Sequence, residues 1–127
     1  MSIALNVFKD YTYDAEKDKI VYIDNESIDL CASTWKYKVY PILKKASELT
    51  GVDVHIPCYD VYDDAELAKT KSLELVAPEV MVIALEAARE YYKEVFDEAA
   101  RRDMVSFIDN MLLHRAKKGM YFVEARE

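Results

Sequence analysis

A chain of 127 residues with 52% hydrophobic side chains is the size of one domain and carries enough apolar surface for a core. The chain has only two glycines and three prolines, and 32% of its residues are charged, so it lacks the biased composition of a disordered segment. A net charge of −7 argues against nucleic acid as a direct ligand, because affinity for phosphates comes from clustered Lys and Arg.

The sequence also bears on where the protein resides. No run approaches the ~20 apolar residues that cross a bilayer, and the N-terminal residues 1–5 lack a basic region ahead of an apolar stretch. We therefore expect a cytoplasmic protein that does not engage a membrane. Two cysteines, Cys31 and Cys58, are too few for the disulfide framework of a small secreted domain, so we expect free thiols.

The first predicted element is a β-hairpin. Segments 3–10 and 19–24 are rich in β-branched and aromatic residues, and the polar stretch 14–18 between them is typical of a turn. Tyr11 and Tyr13 are expected to extend the first strand, and their spacing of two places both rings on one face.

The second predicted element is a helix that ends at Gly51 and begins at a cap formed by Ser33 or Thr34. Pro41 lies inside its pattern and must either kink the helix or occupy the first turn of a helix that begins later. The apolar positions recur at helical spacing and are Trp35, Val39, Ile42, Leu43, Ala46 and Leu49.

A short half-buried strand is predicted over residues 52–56, where apolar and polar residues alternate up to Pro57. Farther along, Asp63 stands three residues ahead of Glu66, which is typical of a capping box. This pattern predicts a helix of about a dozen residues ending at Val76.

Two helices and a strand are predicted for the C-terminal part. Pro78 fits the first turn of a long helix with an apolar stripe that includes Tyr91 and, beside it, Phe96. A break near 101–103 and a second helix before Gly119 are expected to follow. Residues 120–123 are expected to form a final strand that returns to the sheet.

These elements predict one domain over residues 1–127 in the α+β class. A small antiparallel sheet, made of the N-terminal hairpin and one or two short strands, is expected to pack against three or four helices. The C-terminal half is expected to be helix-rich. The absence of internal repeats and low-complexity linkers agrees with one domain.

The residues with metal-ligand or nucleophile chemistry are few. Cys31, His55, Cys58 and His114 equal a Cys2His2 set in number, but only His55 and Cys58 have local ligand spacing, whereas zinc sites combine two close pairs. Residues three apart on an extended strand point to opposite faces, so only a turn at Pro57 would join His55 to Cys58. We expect no catalytic residue, no metal and no cofactor, and keep as the alternative a small metal- or cysteine-dependent enzyme using His55 and Cys58.

Tyrosine and acidic residues concentrate in the first half of the chain. Residues 1–64 hold seven of the ten tyrosines, and their seven lysines against twelve acids give a charge of −5. Tyrosine is enriched at protein interfaces because it combines a large apolar ring with a polar tip. The predicted contact loop consists of Tyr59, Asp60, Tyr62, Asp63 and Asp64. Strand aromatics followed by a helix cap explain the same residues equally well.

In size, charge and lack of catalytic motifs, the chain resembles the small acidic immunity proteins that neutralise bacterial toxins, and also phage-encoded inhibitors. The resemblance is one of profile and involves no specific residues. It implies a non-enzymatic protein that masks the site of a basic partner, either a toxin or a nucleic-acid-binding enzyme. An oligomeric structural protein remains a further alternative.

Overall fold

The computed structural model describes residues 2–95 and 97–126, and it confirms the α+β class. The described part contains a four-stranded sheet, a separate two-stranded sheet and four helices. The strands are β1 (Ser2–Phe8), β2 (Asp10–Asp14), β3 (Lys19–Ile23), β4 (Glu26–Cys31), β5 (Cys58–Asp60) and β6 (Tyr121–Arg126).

Two of the four helices contain a π-helical segment. Helix α1 (32–50) consists of Ala32–Thr34, the π-helical Trp35–Val39 and Tyr40–Thr50. Helix α2 is Ala65–Lys69 and α3 is Pro78–Val95. Helix α4 (98–117) consists of Glu98–Phe107, the π-helical Ile108–Leu113 and His114–Lys117. None of the described helices is both long enough and apolar enough to cross a membrane.

The four-stranded sheet has the order β4-β1-β6-β5. Strand β1 is antiparallel to both of its neighbours, whereas the short strand β5 runs parallel to β6. The C-terminal strand thus lies inside the sheet, which confirms that the chain returns to it. Strands β4 and β5 form the two edges.

The hairpin exists, but its first strand is not the predicted one. Strand β2 pairs with β3 around the predicted polar turn, whereas β1 leaves this pair and enters the other sheet. Leu5, Val7 and Phe8 are fully buried, and β1 pairs along one edge with β4 and along the other with β6 instead of with β3. The chain therefore bends at Lys9 between two strands instead of continuing as one.

The strand predicted at 52–56 is displaced. Val54 and Ile56 are buried with exposed His55 between them, so the alternation is real, but this segment joins no sheet. Pairing begins only where the Pro57 carbonyl accepts the N–H of Glu124, at 2.8 Å. Strand β5 accordingly follows Pro57 instead of ending at it.

Helix α1 confirms the predicted helix and its stop. Gly51 has φ 71°, a left-handed conformation that glycine adopts without strain, and its N–H closes the last turn by donating to the carbonyl of Ser47.

At the start of α1, neither Ser33 nor Thr34 is the capping residue, because both lie inside the helix. Pro41 occupies the first turn of Tyr40–Thr50, directly after a π-helical segment in which Tyr40 N–H donates to Trp35 O.

Helix α2 is much shorter than the predicted helix that ends at Val76. The Asp63 carboxylate does not cap it: the N-cap residue is Asp64, and no side chain caps the first turn. Lys71 adopts a left-handed conformation with φ 55°, and its ammonium group contacts the Tyr11 carbonyl. This turn ends the helix and lets Leu73 enter the core.

Helix α3 confirms the predicted start at Pro78, but the predicted break between the two C-terminal helices is misplaced, since α3 ends at Val95. Helix α4 already begins at Glu98, capped by the Asp97 carboxylate on the N–H of Ala100 at 3.0 Å, and runs through 101–103. Phe96 lies outside the described residues. The buried stripe of α3 consists of Pro78, Met81, Ala84, Leu85, Ala88 and Tyr92.

Apolar residues cover both faces of the four-stranded sheet. Along β1, Val7 belongs to the larger hydrophobic cluster with α1, α3 and α4, whereas the next residue, Phe8, belongs to a smaller cluster with the hairpin and α2. Trp35 is fully buried in the larger cluster, and its Nε1 donates to the carbonyl of Ile3 at 3.0 Å. The smaller cluster positions the segment after β5, where the predicted contact loop lies.

Candidate protein-binding site

The predicted contact loop forms a turn that two of its own carboxylates hold together. The carboxylate of Asp60 accepts the N–H groups of Tyr62 and Asp63, at 2.8 and 2.9 Å. The carboxylate of Asp64 accepts the N–H of Asp60 at 2.7 Å. These bonds fix the backbone of residues 60–64, so the two carboxylates are structural.

The electrostatics of Asp60 agree with this role. Hydrogen bonds from the N–H groups of Asp63 and Tyr62 hold the pKa of the Asp60 carboxyl below its usual value, because they favour the charged form. The neighbouring strand of the hairpin adds a further contact, from the N–H of Ile20 to the Val61 carbonyl at 2.7 Å. The turn is therefore anchored to the body of the protein.

Tyr59 does not belong to the exposed surface, which corrects part of the predicted contact loop. The residue is only 9% exposed, and it lies in the smaller hydrophobic cluster with Phe8 and Val123. Its hydroxyl accepts the N–H of Glu74 at 2.7 Å. The reason is the pleat of β5, which turns Tyr59 toward the face that the hairpin and α2 cover.

Tyr62 and Asp63 are the exposed members of the turn. Tyr62 is 60% exposed, which makes it one of the large hydrophobic residues most open to solvent in the described part of the chain. Asp63 is also exposed, and within the described residues its carboxylate makes no hydrogen bond or ion pair. An exposed aromatic ring and an exposed carboxylate thus belong to adjacent residues on a fixed backbone.

Further carboxylates lie near the turn of the hairpin. Tyr13 donates its hydroxyl proton to Asp18 at 2.7 Å, and this bond, together with the nearby charges of Asp18, Glu66 and Asp14, raises the pKa of Tyr13. Glu66 belongs to α2, which begins directly after the turn of residues 60–64, called the acidic turn below. The hairpin turn and the start of α2 therefore bring carboxylates close together, with the Lys69 ammonium group 5.9 Å from the centre of the Tyr13 ring.

Cys31, His114 and the sequence neighbours His55 and Cys58 lie on different parts of the fold. Cys31 and Cys58 lie on the two edge strands, three strand spacings or about 14 Å apart, too far for a disulfide. His55 is exposed, and its Nδ1 lies 3.8 Å from Asp53. Within residues 2–95 and 97–126, no three His, Cys, Asp or Glu side chains are grouped as a metal site requires.

His114 lines a polar cleft of about 580 Å³ between α3 and α4. The charges there are largely paired with each other: Arg89 contacts Asp109 at 2.7 Å, and Lys117 contacts Glu86 at 3.6 Å. The cleft is open to solvent and its carboxylates already have cationic neighbours. It therefore offers less to a partner than the exposed ring and carboxylate of the acidic turn.

Comparison with known proteins adds no candidate function, because no family model, curated protein or solved structure matches the chain at a significant level. The sequence pointed to the acidic turn but could not separate its buried and structural members from its exposed ones. It missed β4, although Ile28 and Leu30 alternate with Ser27 and Asp29 as in a strand with one buried face.

Proposed function

We propose that this chain is a non-enzymatic binding protein that docks on a basic protein partner and masks that partner's functional site, as inhibitors and immunity proteins do. The observation that carries the proposal is Tyr62, an exposed ring on a turn that Asp60 and Asp64 hold in place. A preformed loop binds at lower entropic cost than a mobile one.

Charge supports a basic partner. The chain carries −7, and Asp63 presents an exposed carboxylate beside the Tyr62 ring. Such rim charges accelerate association with an oppositely charged surface, whereas a buried aromatic anchor slows dissociation. Tyrosine is also among the residues most enriched at binding hot spots.

The test begins with capture of the partner from the native host, using the protein and its Tyr62→Ala variant as parallel baits. A basic protein retained by the first bait and lost from the second is then purified, and its binding kinetics are measured. We expect Tyr62→Ala to weaken affinity by about 2 kcal/mol, roughly 30-fold, mainly through faster dissociation. Asp63→Lys should slow association several-fold and reduce its dependence on salt.

Two matched variants control for exposure and for net charge. Tyr37→Ala removes the ring of a residue that is 64% exposed on α1, and Glu94→Lys makes the same charge change as Asp63→Lys on an exposed position of α3. Both controls should bind as the parent does. If Tyr62→Ala and Asp63→Lys also bind a validated partner with parental kinetics, the acidic turn is not the interface.

Asp60 and Asp64 are left unchanged in this test. Their carboxylates bind backbone N–H groups of the turn, so their replacement would alter the conformation of the loop and confuse binding with structure. Asp63, which does not cap α2, is the acidic residue of the turn that can be changed most cleanly.

A further inference from the structure

Strand β4 forms an edge of the four-stranded sheet, where only β1 pairs with it. The direction of its free hydrogen-bonding groups follows from the pairing on the other side of β1. The N–H of Glu124 donates to Pro57 next to β5, so the main-chain groups of Glu124 point away from β1. Leu5, which lies opposite Glu124, therefore directs its own N–H and C=O toward β4.

The partner of Leu5 in β4 is Ile28, so Ile28 points its main-chain groups into the sheet. Adjacent residues of a strand point these groups in opposite directions, and the N–H and C=O groups of Ser27 and Asp29 therefore point outward. Among the described residues, neither Ser27 nor Asp29 makes a further hydrogen bond, and both side chains are exposed. The outer edge of β4 thus presents two donors and two acceptors in strand geometry.

The charged side chains of β4 itself are acidic, and the cations near the strand, Arg115, Lys118 and His114, act on Glu26. Asp24 and Asp29 are exposed and have no ion pair with another described residue, whereas Glu26 is held by Arg115 at 2.7 Å. A second copy of the chain would bring the same acidic residues to the edge and another charge of −7, which opposes self-pairing. A segment that carries Lys or Arg meets complementary charge at Asp29.

We propose that the outer edge of β4 binds an extended, basic peptide segment by strand addition. The segment would exchange main-chain hydrogen bonds with Ser27 and Asp29 and place a cationic side chain beside the Asp29 carboxylate. Its apolar residues would lie on the side of Ile28, which is partly buried against the larger cluster. This edge lies across the sheet from β5 and the acidic turn, so the inference does not depend on the proposed function of Tyr62.

The probe is a fluorescein-labelled peptide of alternating Lys and Val, whose binding is followed by fluorescence anisotropy at low ionic strength. The same peptide with Glu in place of Lys controls for charge. The Lys peptide with every backbone nitrogen methylated keeps the charge but loses all of its N–H donors. We expect the unmodified Lys peptide to bind at least about tenfold more tightly than either control peptide.

A pair of variants at one position separates charge from strand pairing. Asp29→Asn removes the carboxylate and keeps the main-chain donor, so it should weaken binding several-fold. Asp29→Pro also removes the outward N–H, while the bonds between β4 and β1 involve the neighbouring residues and remain. It should weaken binding about tenfold beyond Asp29→Asn.

Amide hydrogen exchange on the unaltered protein gives a readout that does not depend on the folding of any variant. Bound Lys peptide should slow exchange at Ser27 and Asp29, whereas Ile28 is already protected by its bond to Leu5. Unchanged exchange at both positions, or equal affinity for the methylated peptide, would mean attraction by charge alone and would overturn the proposal. A dimer of the protein alone in sedimentation experiments, abolished by Asp29→Pro, would assign the edge to a second copy and also overturn it.

Discussion

Replacing Tyr59 and Tyr62 separately with Ala distinguishes a core residue from a surface residue three positions apart. Tyr59 is 9% exposed and packs in the smaller hydrophobic cluster, and its hydroxyl accepts the N–H of Glu74. Tyr62 is 60% exposed. The two substitutions remove the same atoms from very different surroundings.

The expected costs follow from these surroundings. Truncation of a buried aromatic side chain to Ala costs about 3–5 kcal/mol, since it removes apolar contacts and leaves a cavity. Loss of an exposed side chain away from special features stays within about 0.5 kcal/mol. With an unfolding entropy of about 2.1 cal/mol/K per residue over 127 residues, Tyr59→Ala should lower Tm by about 11–19 °C and Tyr62→Ala by at most about 2 °C.

The assay is thermal unfolding followed by circular dichroism, supported by urea denaturation at 25 °C. Tyr59→Phe serves as an intermediate variant, because it keeps the ring and loses only the hydroxyl that accepts the Glu74 N–H; about 1 kcal/mol is expected. Equal melting temperatures for Tyr59→Ala and Tyr62→Ala would contradict the assignment of Tyr59 to the core. A large loss of stability in Tyr62→Ala would also make this variant unsuitable for the binding test.

Two further predictions concern the larger cluster and the edge strand. Trp35→Phe should cost about 1–3 kcal/mol in urea denaturation, because the carbonyl of Ile3 loses the indole N–H while most of the apolar contact remains; parental stability would contradict this hydrogen bond. The Arg115 guanidinium lowers the pKa of Glu26 in the folded protein. The ion pair therefore stabilises the fold fully above the unfolded-state pKa of about 4.3, and this stabilisation is lost as the pH falls through the folded-state pKa. Glu26→Gln should therefore lower the free energy of unfolding at neutral pH and make it fall less steeply as the pH is lowered. An unchanged dependence of the unfolding free energy on pH would contradict the Glu26–Arg115 ion pair.

The sequence specified most of the helices, because helical periodicity and terminal residues are local. Gly51 and Pro78 mark the end of α1 and the start of α3 in the sequence as they do in the structure. Local patterns failed where a neighbour in space decides the outcome. The capping box at Asp63 and Glu66 predicted a long helix, but Lys71 turns left-handed against Tyr11 and ends it early.

Strand pairing shows the same division. The alternation at 52–56 correctly indicated which residues are buried, yet pairing starts only beyond Pro57, since a strand needs a partner that local sequence does not provide. Strand β1 looked like half of a hairpin because the hairpin follows it directly. Its place in the four-stranded sheet depends on pairing with β6, which is more than a hundred residues away in the chain.

By itself, the sequence determined the fold class, the acidic charge and the concentration of Tyr and Asp at 59–64, because composition and short-range periodicity encode them. Only the tertiary structure decided that Tyr59 is buried, that Asp60 and Asp64 hold a turn, and that Tyr62 and Asp63 are exposed. It also decided which main-chain groups of β4 point outward. Burial and hydrogen-bond direction depend on neighbours that folding brings from distant parts of the chain, and no local pattern specifies them.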